Sequence, residues 1–389
     1  MPDAPSANEL IDAAVAKTGL EDFGSTAWRD GLEVLLQSAA TEAGLNSIGW
    51  SILRTWVDER LVNRLRVVHW ATEHPTITQL PVEAPIVVAG MLRTGTTILC
   101  ELLAADPANR PLWKWEALDS IPPPQTATIL TDPRIARMVE TMEATYSMVP
   151  NLKAVHFEPG DGPTECVALL GQAFRSQDWL GLFRLPSYLD WYLENDHLPA
   201  YQYEKLALQV LQSEAPGRWS LKAPGHLLAL DALFAVFPDT RLVVTHRDPV
   251  RTVGSSISLS LTSRPDSLTT ADLTGWFEQV WFRMLATMTD RLCDWRDDNP
   301  AALVHDTHFH QFAADPIAEV RRIYDTFGLE MTPAADAAMV AHLATNPRGQ
   351  HGRHRYSLAD AGLTEDQIHK RFGRYIARFN VVSEHEETQ

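Results

Sequence analysis

Cysteine is scarce in this chain, which has only three in 389 residues, at Cys100, Cys166 and Cys293. They lie far apart and none belongs to a CxxC pair, so the sequence predicts neither a disulfide framework nor a zinc site. Small side chains of this type often fill gaps in a hydrophobic core. We therefore expect packing roles for the three cysteines and a reducing compartment.

Basic residues are also few, with 33 lysines and arginines against 50 aspartates and glutamates, for a formal net charge of −17. Binding to nucleic acid depends on neutralising many phosphates with a basic surface. The composition therefore disfavours a nucleic-acid partner. Any anion-binding site in this protein must be built locally from a few cationic side chains.

Long apolar runs are lacking as well. The stretch Leu227–Phe237 is short and interrupted by Asp231, and the opening MPDAPSANELIDAAV has no basic segment followed by an apolar one. The sequence therefore predicts no transmembrane segment and no export signal, which favours a cytosolic protein. With 45% hydrophobic residues, the chain can bury the core of one large domain or of two closely associated ones.

Short strand-like runs alternate with helical patterns in two parts of the chain. Pro85–Gly90 reads as a strand that ends in glycine, and helical apolar spacing begins at Thr96. Further on, Trp219–Lys222 and Arg241–Thr245 read as strands on either side of a helix at His226–Phe237. Because this is a βαβ pattern, the sequence predicts an α/β fold with a P-loop-like parallel sheet and helices on both faces.

The rest of the chain is predicted to be mainly helical. We expect a helical N-terminal region at 1–80 packed on the core, an α/β domain at 81–389, and within it a mainly helical insertion at 106–217 that shapes a substrate pocket. Towards the C-terminus the sequence predicts a strand at Ala301–His305 and helices at Ile317–Phe327 and Thr364–Phe379. The last helix begins with Thr364 and Gln367 at the spacing of a capping box.

The loop after the first predicted strand has the features of an anion-binding loop. In the segment GMLRTGTT, Gly90 and Gly95 have the separation found in phosphate-cradling loops, where backbone N–H groups and a helix N-terminus face an anion. The lysine expected after the second glycine of a nucleotide-triphosphate loop is replaced by Thr96, and the cation is Arg93 instead. A guanidinium at that point can bind two oxygens of a phosphate or sulfate group.

Two further segments concentrate cationic or hydroxyl side chains. Arg247 follows the strand at Arg241–Thr245, and Ser255 comes eight residues later, so both can reach one phosphate at the carboxyl end of the sheet. The segment 347–355, PRGQHGRHR, places three arginines and two glycines in nine residues of an acidic protein. Each pattern alone also fits a salt bridge or a solvated charge run, respectively.

Together the three segments resemble those of the sulfotransferase family, especially its bacterial and tyrosylprotein-type branch, whose first loop carries an arginine. The likeness runs from about Pro85 to Phe379 and includes LKAPGHL at Leu221–Leu227 and THRDP at Thr245–Pro249. This resemblance implies that the donor is 3′-phosphoadenosine-5′-phosphosulfate (PAPS) and that 81–389 is a sulfotransferase domain.

The resemblance also assigns donor-binding roles. It implies that the 5′-phosphosulfate is held by the loop residues Arg93, Thr94, Gly95, Thr96 and Thr97. Arg247 and Ser255 would hold the 3′-phosphate, and Arg348 and Gly349 match the third motif of the family.

The implied reaction is transfer of the sulfuryl group to a hydroxyl of a small-molecule or lipid-like acceptor, leaving adenosine 3′,5′-bisphosphate and requiring no metal. Arg93 and Lys222 are expected to stabilise the bridging and sulfuryl oxygens. An acceptor alcohol also needs a general base, because its own pKa lies far above neutrality. We favour Glu116, which lies 23 positions after Arg93, with His226 as the competing or assisting group.

Other interpretations remain open from the sequence. A kinase-like phosphotransferase with a P-loop is the main enzymatic alternative, and a nucleotide-binding module without turnover is the non-enzymatic one. Glu158, Asp161 and Glu165 fit either the lining of an acceptor pocket or a solvated acidic turn. The closely spaced His305, His308 and His310 lack a carboxylate or cysteine partner for a metal.

Overall fold

The computed structural model describes residues 4–149, 152–153, 156–263, 268–269, 275–346 and 357–384. Within these residues, one sheet of five parallel strands has the order β2-β3-β1-β4-β5. The strands are β1 (Ile86–Gly90), β2 (Asn109–Pro111), β3 (Arg218–Lys222), β4 (Arg241–His246) and β5 (Val304–His308). The predicted α/β fold with a parallel sheet is confirmed.

The sequence of β1 explains its central position in the sheet. Its five residues, IVVAG, are all buried, as expected for a strand that is covered on both faces. Successive side chains point to opposite faces, so Ile86 and Val88 pack into one hydrophobic cluster and Val87 and Ala89 into another. The sheet is therefore the middle layer between two apolar cores.

Helices form the outer layers. The α-helices in the described residues are α1 (Ala7–Thr18), α2 (Trp28–Thr41), α3 (Ser47–Glu73), α4 (Thr96–Ala105), α5 (Lys114–Leu118), α6 (Pro133–Met148), α7 (Val167–Leu170), α8 (Pro186–Glu194), α9 (Leu198–Leu211), α10 (Leu230–Val236), α11 (Pro249–Ser263), α12 (Arg283–Asp298), α13 (Phe309–Ala314), α14 (Pro316–Thr326), α15 (Pro333–Thr345) and α16 (Glu365–Phe379). The smaller cluster lies between the sheet and α4, α13, α14 and α15, and the larger one contains residues from most of the other helices. None of the helices in the described ranges is long and apolar enough to cross a bilayer.

Shorter helical turns connect several of these elements. They are 3₁₀ turns at Pro75–Gln79, Gly171–Ala173, Gln177–Gly181, Pro224–Leu228 and Leu358–Ala361, and a π-helical turn at Phe277–Phe282 that leads into α12. The capping box predicted for the last helix is present, because Thr364 accepts from the Gln367 backbone and Gln367 accepts from the Thr364 backbone. That helix begins where the sequence indicates.

The N-terminal helices pack into the same core as the sheet. Leu35, Leu53 and Leu61 belong to the hydrophobic cluster that also contains Val87 of β1. Arg64 of α3 is buried and donates hydrogen bonds to the carbonyls of Phe23 and Gln172. The helical character of the N-terminal region follows the sequence, and the division into two domains stays a prediction.

Three details of the sheet were not given, or were given differently, by the sequence. The sequence did not indicate which strands are neighbours: β3 and β4, the strands of the predicted βαβ unit, lie on either side of β1 and both pair with it. The fifth strand begins at Val304, three residues later than expected, because its pairing with β4 joins Leu242 to Val304 and His246 to His308. The apolar residues 301–303, which precede Val304, made the predicted strand begin too early.

The third difference is β2, a short strand at the edge of the sheet that the sequence did not indicate. Its three residues, NRP, lack the β-branched apolar pattern of a strand, and a proline is tolerated at an edge. The predicted helix at His226–Phe237 is divided into a 3₁₀ turn at Pro224–Leu228 and α10, and the backbone leaves the helical conformation at Ala229.

Candidate active site

The loop between β1 and α4 is shaped by two glycines that no other residue could replace without strain. A β-carbon at Gly90 would lie 2.0 Å from Oγ1 of Thr245 on the neighbouring strand. Gly95 has a φ of +93°, which favours glycine, and it directly precedes the first turn of α4. The loop therefore curls tightly over the end of β1 and leads into a helix N-terminus.

Threonine side chains in this loop have different surroundings. Thr94 is buried, donates to the carbonyl of Met91 at 2.7 Å, and lies 2.5 Å from the Thr245 hydroxyl oxygen. Its side chain thus joins the loop to β4. Thr96 is buried and Thr97 is exposed at the first turn of α4, where the N–H groups have no partner within the helix. Such a helix start can bind an anion.

Two predicted anion-binding segments meet at the carboxyl ends of β1 and β4. Nε of Arg93 donates to Oγ of Ser255 at 3.0 Å, and Nη1 of Arg247 donates to the carbonyl of Arg93 at 2.9 Å. Burial, and secondarily the charge of Arg247, lowers the pKa of Arg93 below its ordinary value. Two guanidinium groups are thus held side by side, an arrangement that an anion stabilises.

The C-terminal segment contacts this cationic pair. The carboxylate of Glu384 accepts from Nε and Nη2 of Arg247 at 2.9 and 3.0 Å. Its backbone N–H donates to Asp248 at 2.7 Å, and its carbonyl accepts from Arg251 at 3.1 Å. The guanidinium of Arg247 also stacks over the ring of Phe309, 3.8 Å from its centroid. An anionic group therefore fits the fork of Arg247.

Lys222 lies at the end of β3, which pairs with β1 on the side opposite to β4. Its side chain is 5% exposed, and its Nζ donates to Oε1 of Glu165 at 2.5 Å. Burial lowers the pKa of Lys222, but the carboxylates of Glu165 and Glu158 and the Cys100 thiol outweigh this effect, so that the pKa lies above its ordinary value. Lys222 is therefore a charged group at neutral pH.

A small cavity connects Lys222 with the start of α4. Its lining comes from both of these elements and from the segment before α7: Thr97, Cys100, Glu101, Phe157, Glu158, Pro159, Pro163, Thr164 and Lys222. Burial raises the pKa of Glu158, but the positive charges of Lys114 and His156 lower it by a larger amount. The pKa of this carboxyl group therefore lies well below its usual range. The cavity is the part of the described structure where the loop, Lys222 and two acidic side chains face the same space.

Glu116, predicted as the general base, lies in a buried ion pair. Its carboxylate accepts from Nη1 and Nη2 of Arg110, both at 2.7 Å, and from the backbone N–H of Trp113 at 3.0 Å. Arg110 in turn stacks on Trp219 of β3, 4.2 Å from the ring centroid. Glu116 is 0% exposed and, among the described residues, forms no hydrogen bond with Lys222. Because Arg110 belongs to the edge strand β2, this ion pair links Glu116 to the edge of the sheet.

His226 is also fully buried, in the turn after β3. Its Nδ1 lies 2.8 Å from the hydroxyl of Tyr201, and burial lowers the pKa of the imidazole to about 3. The ring is therefore neutral at physiological pH.

Comparison with known proteins decides the family. A family model described as "Sulfotransferase family" matches residues 85–333. The chain belongs to the sulfotransferase family. It is similar to the crystal structure of sulfotransferase STF9 from Mycobacterium avium, with 31% identity and a TM-score of 0.91 over 99% of this chain and 100% of that one. Sulfotransferase STF1 from Mycobacterium tuberculosis H37Rv shows 32% identity and a TM-score of 0.85 over 96% and 99% of the two chains. A search of curated proteins found no match.

In this sulfotransferase the predicted site residues fall into three groups. The structure brings together the loop residues, Arg247 and Ser255, and it places Lys222 on the same cavity as Thr97. It places Glu116 and His226 in buried contacts of their own. Arg348 and Gly349 lie outside the described residues.

Three acidic side chains near the candidate site were left open or missed by the sequence analysis. Glu158 lines the cavity and Glu165 pairs with Lys222, which also lines it, whereas Asp161 is exposed. Glu384 had no sequence signal, because its contact with Arg247 joins parts of the chain that are 137 residues apart.

Proposed function

We propose that this sulfotransferase uses PAPS as its donor and transfers the sulfuryl group to a hydroxyl of a small-molecule or lipid-like acceptor. The observation that supports this most is the contact of Arg93 with both Arg247 and Ser255. The two cationic segments lie at the ends of adjacent parallel strands, where such sheets bind nucleotides. The arginine in the first loop, in place of the usual lysine after Gly95, favours this donor over a nucleoside triphosphate.

Each part of the donor has a matching group in the chain. The fork of Arg247 holds a carboxylate in this structure, so it also suits the 3′-phosphate, with Ser255 as a second donor. The loop from Arg93 to Thr97 and the start of α4 would receive the 5′-phosphosulfate. The adenosine phosphate supplies the leaving group of the reaction.

The proposed chemistry is an in-line displacement. The acceptor oxygen forms a bond to sulfur while the bond from sulfur to the bridging phosphate oxygen breaks, and the acceptor proton passes to a base. Arg93 and Lys222 stabilise the negative charge that develops on the bridging and sulfuryl oxygens. Because both are held by neighbouring side chains, they need little rearrangement during the reaction.

Two carboxylates are candidates for the general base. Glu116 is the sequence-based candidate, and both its oxygens bind Arg110. Glu165 is hydrogen-bonded to Lys222 and its side chain is 15% exposed, so an acceptor hydroxyl can approach it with less rearrangement. A positioned base contributes about 10²–10⁴-fold in rate, so the Gln variant of the true base loses that much in kcat and retains donor binding. His226 stays a predicted assisting group.

Calorimetry with adenosine 3′,5′-bisphosphate tests the donor proposal. Arg247→Ala removes a charged fork and should cost about 2–3 kcal/mol of binding, or roughly 30- to 150-fold in Kd. Arg241→Ala is a matched control, because Arg241 lies at the opposite end of β4 and donates to the carbonyl of Ala84. Equal affinity of wild type and Arg247→Ala would remove Arg247 from the site.

Turnover is tested separately with sulfur-labelled PAPS and a panel of phenols, sterols and lipid alcohols, with γ-labelled ATP as the alternative donor. Labelled sulfate ester from PAPS supports the proposal. Transfer from ATP alone, or binding of the bisphosphate without any transfer, would favour the kinase or the binding-module alternative. The membership of the tyrosylprotein-type branch and the cytosolic location stay predictions.

A further inference from the structure

A group of three potential metal ligands lies in the core, apart from the cationic site. Cys166 precedes α7, Glu204 belongs to α9, and His226 lies in the turn after β3. All three are fully buried, and one ligand atom from each lies within 4.8 Å of the others. Residues from three separate elements thus converge on one point inside the protein.

Several polar atoms of this group lack hydrogen-bond partners in the part of the chain that the structure describes. Both carboxyl oxygens of Glu204 and Nε2 of His226 lack a hydrogen-bonding nitrogen or oxygen partner in the described residues. The thiol of Cys166 is close enough to Glu204 to form a weak hydrogen bond with it. A buried polar atom without a partner is costly, and a thiol is only a weak hydrogen-bond donor, so the convergence of these atoms requires an explanation. A bound cation would satisfy all three together.

The three donors form a set that suits zinc. Zinc binds thiolate sulfur, imidazole nitrogen and carboxylate oxygen, commonly with four ligands in all. A thiolate and a carboxylate together carry two negative charges, so a divalent ion would leave the group neutral. This balance matters in an apolar core, where an uncompensated charge is costly.

The surroundings of His226 also fit a metal ligand. Its Nδ1 lies 2.8 Å from the Tyr201 hydroxyl, so the ring can donate there and present the lone pair of Nε2 to a metal. Ligating histidines usually have such a partner on their second nitrogen, which fixes the ring and its tautomer. Tyr201 is itself buried and lies one turn before Glu204 on α9.

We propose that Cys166, Glu204 and His226 bind a divalent transition-metal ion, with zinc as the favoured ion, in a structural site. The ion would join α9, the start of α7 and the turn after β3. The backbone N–H of Cys166 donates to the carbonyl of Lys222 at 2.8 Å, so the ion would also steady the strand end that carries Lys222. Metal binding at this site requires neither the donor nor the acceptor.

The metal content of the full-length protein tests this proposal without an activity assay. Protein purified from zinc-supplemented cells should contain about one equivalent of zinc per chain, as measured by inductively coupled plasma mass spectrometry. Cobalt(II) added to protein stripped with a chelator should give a thiolate-to-cobalt charge-transfer band. Cys166→Ser should lose that band, and Cys293→Ser, a change at a buried cysteine elsewhere, should keep it.

Tyr201→Phe provides a milder variant in case a ligand variant does not fold. Because it removes only the partner of the imidazole, it should keep the fold and weaken zinc binding by about 10- to 100-fold in competition with a coloured chelator. The proposal is overturned by wild-type protein that contains no zinc and takes up neither zinc nor cobalt. It is also overturned by folded Cys166→Ser and Glu204→Gln variants that bind metal as tightly as wild type.

Discussion

Two arginine–glutamate pairs of the same chemistry have different positions in this protein. Arg110 and Glu116 are six residues apart, form two hydrogen bonds of 2.7 Å, and have side chains only 4% and 0% exposed. Arg247 and Glu384 form a similar fork at 2.9 and 3.0 Å, but their side chains are 21% and 26% exposed. Removing a partner from the first leaves a buried charge, whereas water and ligands can reach the second.

The difference indicates different roles for the two pairs. Arg110 is also fixed by Trp219 and by the carbonyls of Ala215 and Leu211, so its pair holds the edge of the sheet. Glu384 is held near the end of the described chain by Asp248 and Arg251. A phosphate could replace its carboxylate at Arg247, because both groups bind the same fork.

We expect the largest effect from Glu116→Gln. Breaking a buried ion pair leaves Arg110 without a counter-charge, and the free energy of unfolding should fall by about 3–5 kcal/mol in urea titrations. Asp119→Asn, at a half-buried carboxylate that pairs with the exposed Arg137, is the control and should change the free energy of unfolding by less than about 1 kcal/mol. Unchanged stability together with a kcat lowered about 10²–10⁴-fold would instead assign Glu116 to the chemistry.

An intermediate effect is expected at the third pair, Lys222 with Glu165, whose side chains are 5% and 15% exposed. Glu165→Gln leaves a partly shielded cation, so unfolding should cost about 1–3 kcal/mol less than in wild type. The pKa of Lys222 should also fall, because burial lowers it and the Glu165 carboxylate that raises it would be gone. A stability equal to that of wild type would show that Glu165 does not compensate this charge.

Gly90→Ala should weaken the anion loop through steric overlap. The added β-carbon would lie 2.0 Å from Oγ1 of Thr245, so the loop or β4 must move, at a cost of about 1–3 kcal/mol. Gly362→Ala is a useful contrast, because a β-carbon there meets no atom within 4 Å and only its positive φ is strained. Gly90→Ala should lose affinity for the bisphosphate, and Gly362→Ala should retain it.

The smallest effect is expected from Glu384→Gln. Unlike Gly90→Ala, this variant should strengthen binding of the bisphosphate. If the donor displaces Glu384, loss of this partly exposed ion pair should tighten bisphosphate binding by roughly two- to fivefold, equivalent to about 0.5–1 kcal/mol. Glu330→Gln changes an exposed glutamate elsewhere and should have no effect. Equal binding by wild type and Glu384→Gln contradicts the competition, whereas the absence of binding in both contradicts the proposed donor.

Local patterns accounted for much of the fold. The β-branched run before Gly90, the spacing of its loop glycines and the capping box at Thr364 each depend on a few consecutive residues. For this reason β1, the start of α4 and the last helix were predicted close to their true positions. Parallel strands share one carboxyl edge, so the loop after β1 and the segment after β4 are expected at the same edge, but the contact of Arg93 with Arg247 and Ser255 depends on β1 and β4 being neighbours.

Contacts between distant segments were decided only by the tertiary structure. Arg110 lies only six residues before Glu116 and was a possible partner from the sequence, but the sequence does not show that the pair is buried. The chain gives no local sign that Glu384 will reach Arg247 or that Glu165 will pair with Lys222. The convergence of Cys166, Glu204 and His226 has no motif either, since their spacing depends on how α9 packs beside β3. The sequence by itself determined the anion loop and most of the helices and strands, because short-range sterics and periodicity specify them. Burial and charge pairing depend on which surfaces meet, and only the folded chain determines that.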